Sequence, residues 1–207
     1  APTAGSIEFK NKLISGLPPH RLNRLGLART FQSLELFKEL SVHENVMVGA
    51  VAETGVGTTK SILSLPGVYR KKREIARLAD KYLELVGLSE RRDVPAAILS
   101  AGQGRLLSIA RALASGAEWL FLDEPGAGLN PVTKQKLADV IQRLKDAGKT
   151  IFFVEHDMGF VGRLAERIIV LDRGKIIADG LPDEVRSDER VLTAYLGHHI
   201  KKENSQR

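Results

Sequence analysis

Two adjacent carboxylates, Asp123 and Glu124, have the clearest chemistry in this sequence. They follow the apolar run Trp119-Leu120-Phe121-Leu122, which is typical of a strand buried on both faces in a parallel sheet. The pair is therefore predicted to lie at the carboxyl end of that strand, where open α/β sheets bind ligands. An aspartate there can hold Mg²⁺, usually through water, and a neighbouring glutamate can orient or deprotonate an attacking water. For the dipeptide alone, a solvated acidic turn is an equally good interpretation.

A second candidate site is the segment Leu99-Ser100-Ala101-Gly102-Gln103. Ser100 is predicted to cap a helix that continues to Ala114, and the small residues after it let backbone N–H groups approach an anion. The helix dipole adds about half a positive charge at that end, so a phosphate fits there. The alternative is an ordinary helix cap without a ligand.

Two further polar residues follow predicted strands. His156 comes two residues after the end of the strand Ile151 to Val154, where an imidazole can hydrogen-bond a phosphate oxygen and respond to its loss. Gln32 ends the extended segment Gly26 to Gln32. Taken alone, each of these residues is more often structural.

The elements that would position these residues alternate between helices and strands after Glu118, which predicts an α/β fold with a parallel sheet. Ahead of that point, long helical patterns predict a helical subdomain, with a variable Gly/Ser/Thr-rich insertion over residues 54–73. The predicted helices are 19–25, 42–51, 69–86, 100–114, 131–147, one beginning after Asp157 and one beginning at Pro182. The predicted strands are 5–9, 119–122, 150–154, 168–171 and 175–178.

Length and composition exclude several classes of protein. The 207 residues are 43% apolar and 27% charged, so the chain can form a core of one or two domains and is not disordered. There is no cysteine, which excludes disulfides and fits a reducing compartment. The net charge of +6 is spread along the chain and aromatic residues make up only 5%, which favours scattered surface charge over a nucleic-acid interface.

Taken in order, the candidate residues resemble the ATP-binding cassette (ABC) ATPases, and the resemblance covers roughly residues 5–196. The positions correspond to the family's Q-loop, signature motif, Walker B motif with its glutamate, D-loop and H-loop. In this sequence they are Gln32, Leu99-Ser100-Ala101-Gly102-Gln103, Leu120-Phe121-Leu122-Asp123-Glu124-Pro125, Gly128-Leu129-Asn130 and His156. Ala101 replaces a glycine of the usual signature, and Asn130 stands where many members have aspartate.

Several segments also resemble the cassettes of branched-chain amino acid importers, while urea and lipopolysaccharide-export cassettes are relatives that are separated less well. These segments are Arg29-Thr30-Phe31-Gln32, Leu36 to Asn45, Ala127 to Pro131, Glu155-His156-Asp157-Met158 and Ala194-Tyr195-Leu196-Gly197.

The resemblance implies roles for the site residues. Glu124 would be the general base for water that attacks the γ-phosphate of ATP, and His156 would stabilise the charge that builds up there. Asp123 and Gln32 would hold Mg²⁺, partly through water, and Gln32 would couple the nucleotide to the permease. ATP would also be bound across a dimer interface by Ser100, Ala101, Gly102 and Gln103, with Asn130 in the D-loop.

The resemblance also implies an organisation and partners. Residues 1–40 and 116–207 would form the P-loop ATPase core, and residues 41–115 the helical subdomain. A second ABC subunit, identical or different, and transmembrane permease subunits would be the direct partners, and a periplasmic or extracellular substrate-binding protein an indirect one. Nucleic acid would not be a partner, and the protein would sit at the inner face of the cell membrane.

A phosphate-binding loop of the form G-x-x-x-x-G-K-[ST] is missing from the 207 residues. A partial match, Gly55 to Ser61, lacks the required glycines and lies in the variable insertion. We therefore expect a core that is incomplete at its N-terminus, with poor ATP binding by the chain as given. A degenerate, non-hydrolysing cassette and a soluble ABC protein of translation or DNA repair are the alternatives.

Overall fold

The computed structural model describes residues 2–30, 35–54 and 66–195, excluding the side chains of residues 52–54 and 66–69. The chain divides into two compact units, Ala1–Val154 and Glu155–Arg207. No helix among the described residues is long and apolar enough to cross a membrane. In chain order the elements of the first unit are β1 (Glu8–Phe9), β2 (Lys12–Leu13), α1 (Pro19–Arg24), β3 (Leu27–Thr30), α2 (Val42–Thr54), α3 (Pro66–Leu85), α4 (Ala101–Ala114), β4 (Trp119–Asp123), α5 (Pro131–Asp146) and β5 (Thr150–Val154).

A three-stranded parallel sheet with the order β3-β4-β5 is the centre of the first unit. Leu120 of β4 lies beside Ala28 of β3 and Ile151 of β5, which sets the register of all three strands. Leu120 and Leu122 are almost fully buried. Helix α4 packs against β3 and α5 packs against β5, so the predicted α/β fold with a parallel sheet is confirmed.

The prediction that β4 is buried on both faces is wrong. Residues alternate along the strand, and Trp119 and Phe121 on the second face are only half-buried. On β5 the same face carries Phe152 and Val154, whose exposed fractions are 50% and 54%. The apolar run therefore predicted the strand correctly. Whether its second face is buried depends on which other residues pack against it, and the run itself does not contain that information.

Helices α2, α3 and α4 pack against one another. Helix α2 begins with a capping box, because Ser41 Oγ accepts a hydrogen bond from the Glu44 N–H at 3.1 Å and Glu44 Oε2 accepts one from the Ser41 N–H at 2.8 Å. Helix α3 buries an apolar face at Ile75, Ala79 and Leu83. The division into an ATPase core and a helical subdomain remains a prediction, and residues 55–65 of the insertion lie outside the described residues.

Asn45 holds the segment that leads into α2. Its side chain is fully buried and binds three backbone carbonyls together with one amide. Its Oδ1 accepts from the Phe37 N–H at 3.0 Å, while its Nδ2 donates to the carbonyls of Phe37, Leu40 and Ser41. A buried polar side chain is stable only when it is bonded in this way, so Asn45 fixes the path of residues 37–41.

The second unit combines short helices with a β-hairpin. The turn of the hairpin has a positive φ at both Arg173 (47°) and Gly174 (78°), which matches the twist of the two strands it joins. Arg190 donates a side-chain hydrogen bond to Asp188, which lowers the pKa of that carboxyl group from 3.8 to about 2. Asp188 is the C-cap residue of the helix that follows the hairpin. The elements of this unit are α6 (Met158–Leu164), β6 (Ile168–Asp172), β7 (Lys175–Gly180) and α7 (Pro182–Ser187).

Candidate functional site

The predicted carboxylate pair lies at the carboxyl end of the central strand. Asp123 is the last residue of β4, and Glu124 leaves the strand with a positive φ of 42°. The left-handed region costs a side-chain-bearing residue about 1–2 kcal/mol, so surrounding contacts must hold Glu124 there. One of them is the hydrogen bond from the Glu124 N–H to the Val154 carbonyl, 3.0 Å long.

Arg29 on the neighbouring strand β3 forms an ion pair with Asp123 of the carboxylate pair. Its Nη2 lies 2.9 Å from Asp123 Oδ2, and both side chains keep exposed fractions of 59% and 37%. An exposed ion pair of this kind contributes at most about 1 kcal/mol to stability, so it can give way to another cation. Sequence reasoning singled out the Arg29-Thr30-Phe31-Gln32 segment but missed this contact, because it joins residues 94 positions apart.

The second candidate segment forms the predicted helix cap. Ser100 Oγ accepts a hydrogen bond from the Gln103 N–H at 3.3 Å, and Gln103 Oε1 accepts one from the Ser100 N–H at 3.0 Å. This capping box holds the first turn of α4 in place. The Ser100 hydroxyl still has its own proton to donate, and both Ser100 and Ala101 are exposed. The N-terminus of α4 is therefore accessible for binding an anion.

Gly102 lies against the start of α5. A Cβ on this glycine would overlap the methyl group of Thr133 and lie 3.5 Å from a methyl group of Leu129. Asn130 caps α5, since its Oδ1 accepts from the Thr133 N–H at 2.9 Å. The signature segment and the segment before α5 are thus packed together within one chain, and only glycine fits at position 102 without displacing Thr133.

Arg105, two residues beyond Gln103, is a residue that sequence reasoning missed. Its side chain is buried, and its Nη1 donates to the Glu124 carbonyl at 2.8 Å and lies 3.5 Å from the Asp123 carbonyl. The available signal in the sequence was an arginine among the apolar and small residues of the predicted helix.

The other predicted residues are placed less completely. His156 belongs to the second unit, where its side chain is 70% exposed and its Nδ1 lies 3.9 Å from the carboxylate of Glu155. The Glu155 side chain is only 1% exposed. Asp157 caps α6 as predicted, accepting from the Phe160 N–H at 3.0 Å. Gln32 lies outside the described residues.

The carboxylates fit a divalent cation of the kind predicted. Among the described residues there is no group of three or more His, Cys, Asp and Glu that could form an all-protein metal site. Mg²⁺ at phosphate-binding sites, however, typically takes only one or two carboxylates and completes its shell with water and phosphate oxygens. Asp123, partly exposed beside Glu124 at the strand end, offers that partial set.

Comparison with known protein families identifies the class of protein. The family model described as "ABC transporter" matches residues 1–127. A second model, described as "Branched-chain amino acid ATP-binding cassette transporter", matches residues 175–201. The chain belongs to the ABC transporter ATPase family, so the predicted resemblance is confirmed.

Named relatives extend over nearly the whole chain. It is 38% identical over 197 residues to the high-affinity branched-chain amino acid transport ATP-binding protein LivG of Salmonella typhimurium, covering 95% of this chain and 77% of the relative. Identity to BraF of Pseudomonas aeruginosa, a protein with the same description, is 37% with the same coverage. The lipopolysaccharide export ATP-binding protein LptB of Haemophilus influenzae is 34% identical over 95% of this chain and 76% of the relative.

Solved structures support the fold. The ADP conformation of MJ1267, an ATP-binding cassette of an ABC transporter, superposes with a TM-score of 0.77 and 31% identity, covering 94% of this chain and 78% of that one. CbiO1 of Clostridium perfringens, part of an ABC transporter complex, gives a TM-score of 0.73 with 29% identity, covering 97% of this chain and 75% of that one.

Proposed function

We propose that this protein is the ATP-hydrolysing subunit of an importer for branched-chain amino acids. The observation that carries the proposal is the Asp123-Glu124 pair at the end of the central strand, in a chain of the ABC family. The substrate class is supported by the family model that matches residues 175–201 and by the names of the LivG and BraF relatives.

In this proposal Glu124 acts as the general base. Its carboxylate accepts a proton from the water that attacks the γ-phosphate of ATP, and His156 donates a hydrogen bond to the oxygens on which charge builds up. Both roles depend on the positions of fixed polar groups, which is how phosphoryl transfer is mainly catalysed. The high exposure of the His156 side chain leaves its ring accessible to a ligand.

Asp123 and Gln32 would hold Mg²⁺, partly through water. When bound, Mg²⁺ neutralises charge on the phosphate oxygens. Asp123 would then exchange its pairing with Arg29 for the metal ion, which the exposure of that ion pair permits.

The signature segment would act on the ATP of a second ABC subunit, identical or different. Ser100 would donate its hydroxyl proton, and the N–H groups of Ala101 and Gly102 together with the side-chain amide of Gln103 would face the phosphates. Asn130, which caps α5 beside this segment, would lie in the same interface. Transmembrane permease subunits, contacted near Gln32, would place the protein at the inner face of the cell membrane, with a substrate-binding protein as the indirect partner.

Substrate class can be tested by uptake of leucine. We expect that cells lacking their own high-affinity branched-chain ATP-binding subunit regain leucine uptake when they express a form of this protein that carries a phosphate-binding loop together with its permease subunits. Uptake of an unrelated solute, such as urea, is the control and should not change. Recovery of urea uptake without recovery of leucine uptake would contradict the proposed substrate class.

The missing G-x-x-x-x-G-K-[ST] motif leads to a second expectation, that a phosphate-binding loop must be added to this chain before it can work. Retention of Asp123, Glu124 and the signature segment favours this interpretation, since these groups act only on a bound nucleotide. The alternative, favoured by the same missing motif, is a degenerate cassette that does not hydrolyse ATP.

We predict that Mg-ATP binds the 207-residue chain with a dissociation constant weaker than about 1 mM, because the backbone N–H groups and lysine that hold the phosphates are not supplied. Isothermal titration calorimetry measures the affinity and phosphate release measures turnover, which should be undetectable. A form that carries a phosphate-binding loop is the control. Micromolar affinity of the 207-residue chain would contradict the prediction.

A further inference from the structure

Arg105 is a buried cation in a helix that otherwise buries small and apolar side chains. It lies on α4 between Gly104 and Leu106, and its exposed fraction is 9%. Removing a guanidinium from water is unfavourable unless acceptors replace the water, so its partners indicate what it does.

Two of those partners are backbone carbonyls of the candidate catalytic turn. Nη1 of Arg105 lies 2.8 Å from the Glu124 carbonyl and 3.5 Å from the Asp123 carbonyl. In an extended strand successive carbonyls point to opposite sides, so one nitrogen cannot face two of them. Glu124 brings them to the same side by adopting a φ of 42°.

The same peptide is held at two other points. The Glu124 carbonyl also accepts a hydrogen bond from the Ala127 N–H at 3.1 Å, and the Glu124 N–H donates to the Val154 carbonyl at 3.0 Å. The direction of the Cα–Cβ bond of Glu124 follows from the orientation of these peptides. Arg105 supplies the charged hydrogen bond of the set, which is the stronger kind.

We infer that Arg105 is a positioning residue, which holds Glu124 in its left-handed conformation and thereby sets the direction in which its carboxylate leaves β4. The inference rests on the proposed role of Glu124 as the general base. Because α4 also begins with the signature segment at Ser100, Arg105 joins that helix directly to the catalytic turn of the same chain. A shift of α4 would therefore move the Glu124 backbone.

The structural part is tested on the 207-residue chain without nucleotide. Replacing Arg105→Met keeps the volume and removes the donor. Amide hydrogen exchange, measured by NMR, should show protection at the Ala127 and Glu124 amides falling by about tenfold, since one charged hydrogen bond is lost. Protection within α5 should change less than protection at these two amides, because the hydrogen bonds that are lost end on the Asp123 and Glu124 carbonyls and not on that helix.

Two further variants keep this test decisive. Arg143→Met is the matched control, because Arg143 Nη1 also meets a backbone carbonyl, that of Leu85 at 3.5 Å, but on the exposed side of α5. It should leave the Ala127 and Glu124 amides unchanged. If Arg105→Met does not fold, Arg105→Lys retains the charge with a single nitrogen, and a smaller fall confined to the same two amides is expected. An equal fall at all amides, or no fall at these two, would overturn the inference.

The functional part is tested in a form that carries a phosphate-binding loop. Arg105→Met should lower kcat by about tenfold or more and change the KM for ATP by less than about threefold, because the base is misdirected while the nucleotide contacts remain. An unchanged kcat in Arg105→Met, alongside lost turnover in Glu124→Gln, would overturn the positioning role alone. Full turnover in Glu124→Gln would instead reject the proposed role of Glu124.

Discussion

Glu124→Gln is expected to lower the rate of ATP hydrolysis by about a hundred- to ten-thousandfold, the range typical for loss of a general base. The amide has the shape of the carboxylate but cannot accept a proton from water. The substitution also keeps a side chain of the same length on the same left-handed backbone, so the turn after β4 should persist. Nucleotide binding should therefore remain. The measurement is phosphate release under saturating Mg-ATP, in a form that carries a phosphate-binding loop.

Glu118→Gln is the matched control for this experiment. Glu118 directly precedes the same strand at its other end, where its carboxylate is exposed and paired with Lys10. That pairing lowers the pKa of Glu118, through the side-chain hydrogen bond first and the charge of Lys10 second. The same chemical change there should leave turnover within about twofold, as for most surface substitutions. Equal turnover in Glu124→Gln and the unmodified protein would rule out Glu124 as the base.

Gly49→Ala is expected to lower the free energy of unfolding of the first unit by about 1–2 kcal/mol. A Cβ at this position of α2 would overlap the Arg111 carbonyl oxygen of α4 and lie 3.2 Å from the Arg111 Cγ. The obstruction is backbone, which cannot rotate away, so the two helices must separate. Alanine favours helix over glycine by about 1 kcal/mol, which offsets only part of the steric cost. Urea denaturation followed by the fluorescence of Trp119, the only tryptophan, measures the change.

Val48→Ala is the control for the steric effect, because it also places an alanine in α2 but adds no atoms to the helix. Val48 lies on the same helix with 40% of its side chain exposed. Its replacement should change the free energy of unfolding by less than about 0.5 kcal/mol. A Gly49→Ala variant as stable as the unmodified chain would contradict the close approach of α2 and α4 at this point.

The features that could be predicted from the sequence are those whose cause is local. The helix starts after Ser41, Ser100, Asn130 and Asp157 are confirmed because each cap depends on residues within three positions of it. The carboxyl end of β4 was predictable for the same reason, since four apolar residues stop at two acids.

Most features that could not be predicted depend on contacts between distant residues, and the β1–β2 hairpin is a local exception. The β1–β2 hairpin turns at Lys10 and Asn11, with φ values of 48° and 59°, and lysine is not a residue that signals such a turn. The Arg29–Asp123 pair and the Arg105 contact join separate elements of the sheet and helix layers. For these two contacts the residue types can be read from the sequence, but the packing that brings the residues together cannot.

The half-exposed second face of β5 has a consequence for the behaviour of the chain in solution. Phe152 and Val154 present apolar surface on β5. In the part of the chain that the structure describes, β5 pairs with β4 along one edge only. An open strand edge beside exposed apolar side chains is a template for pairing with other strands. We therefore expect the 207-residue chain, taken alone, to self-associate through β5 at high concentration and a charged residue at Phe152 to oppose this, as sedimentation analysis would show.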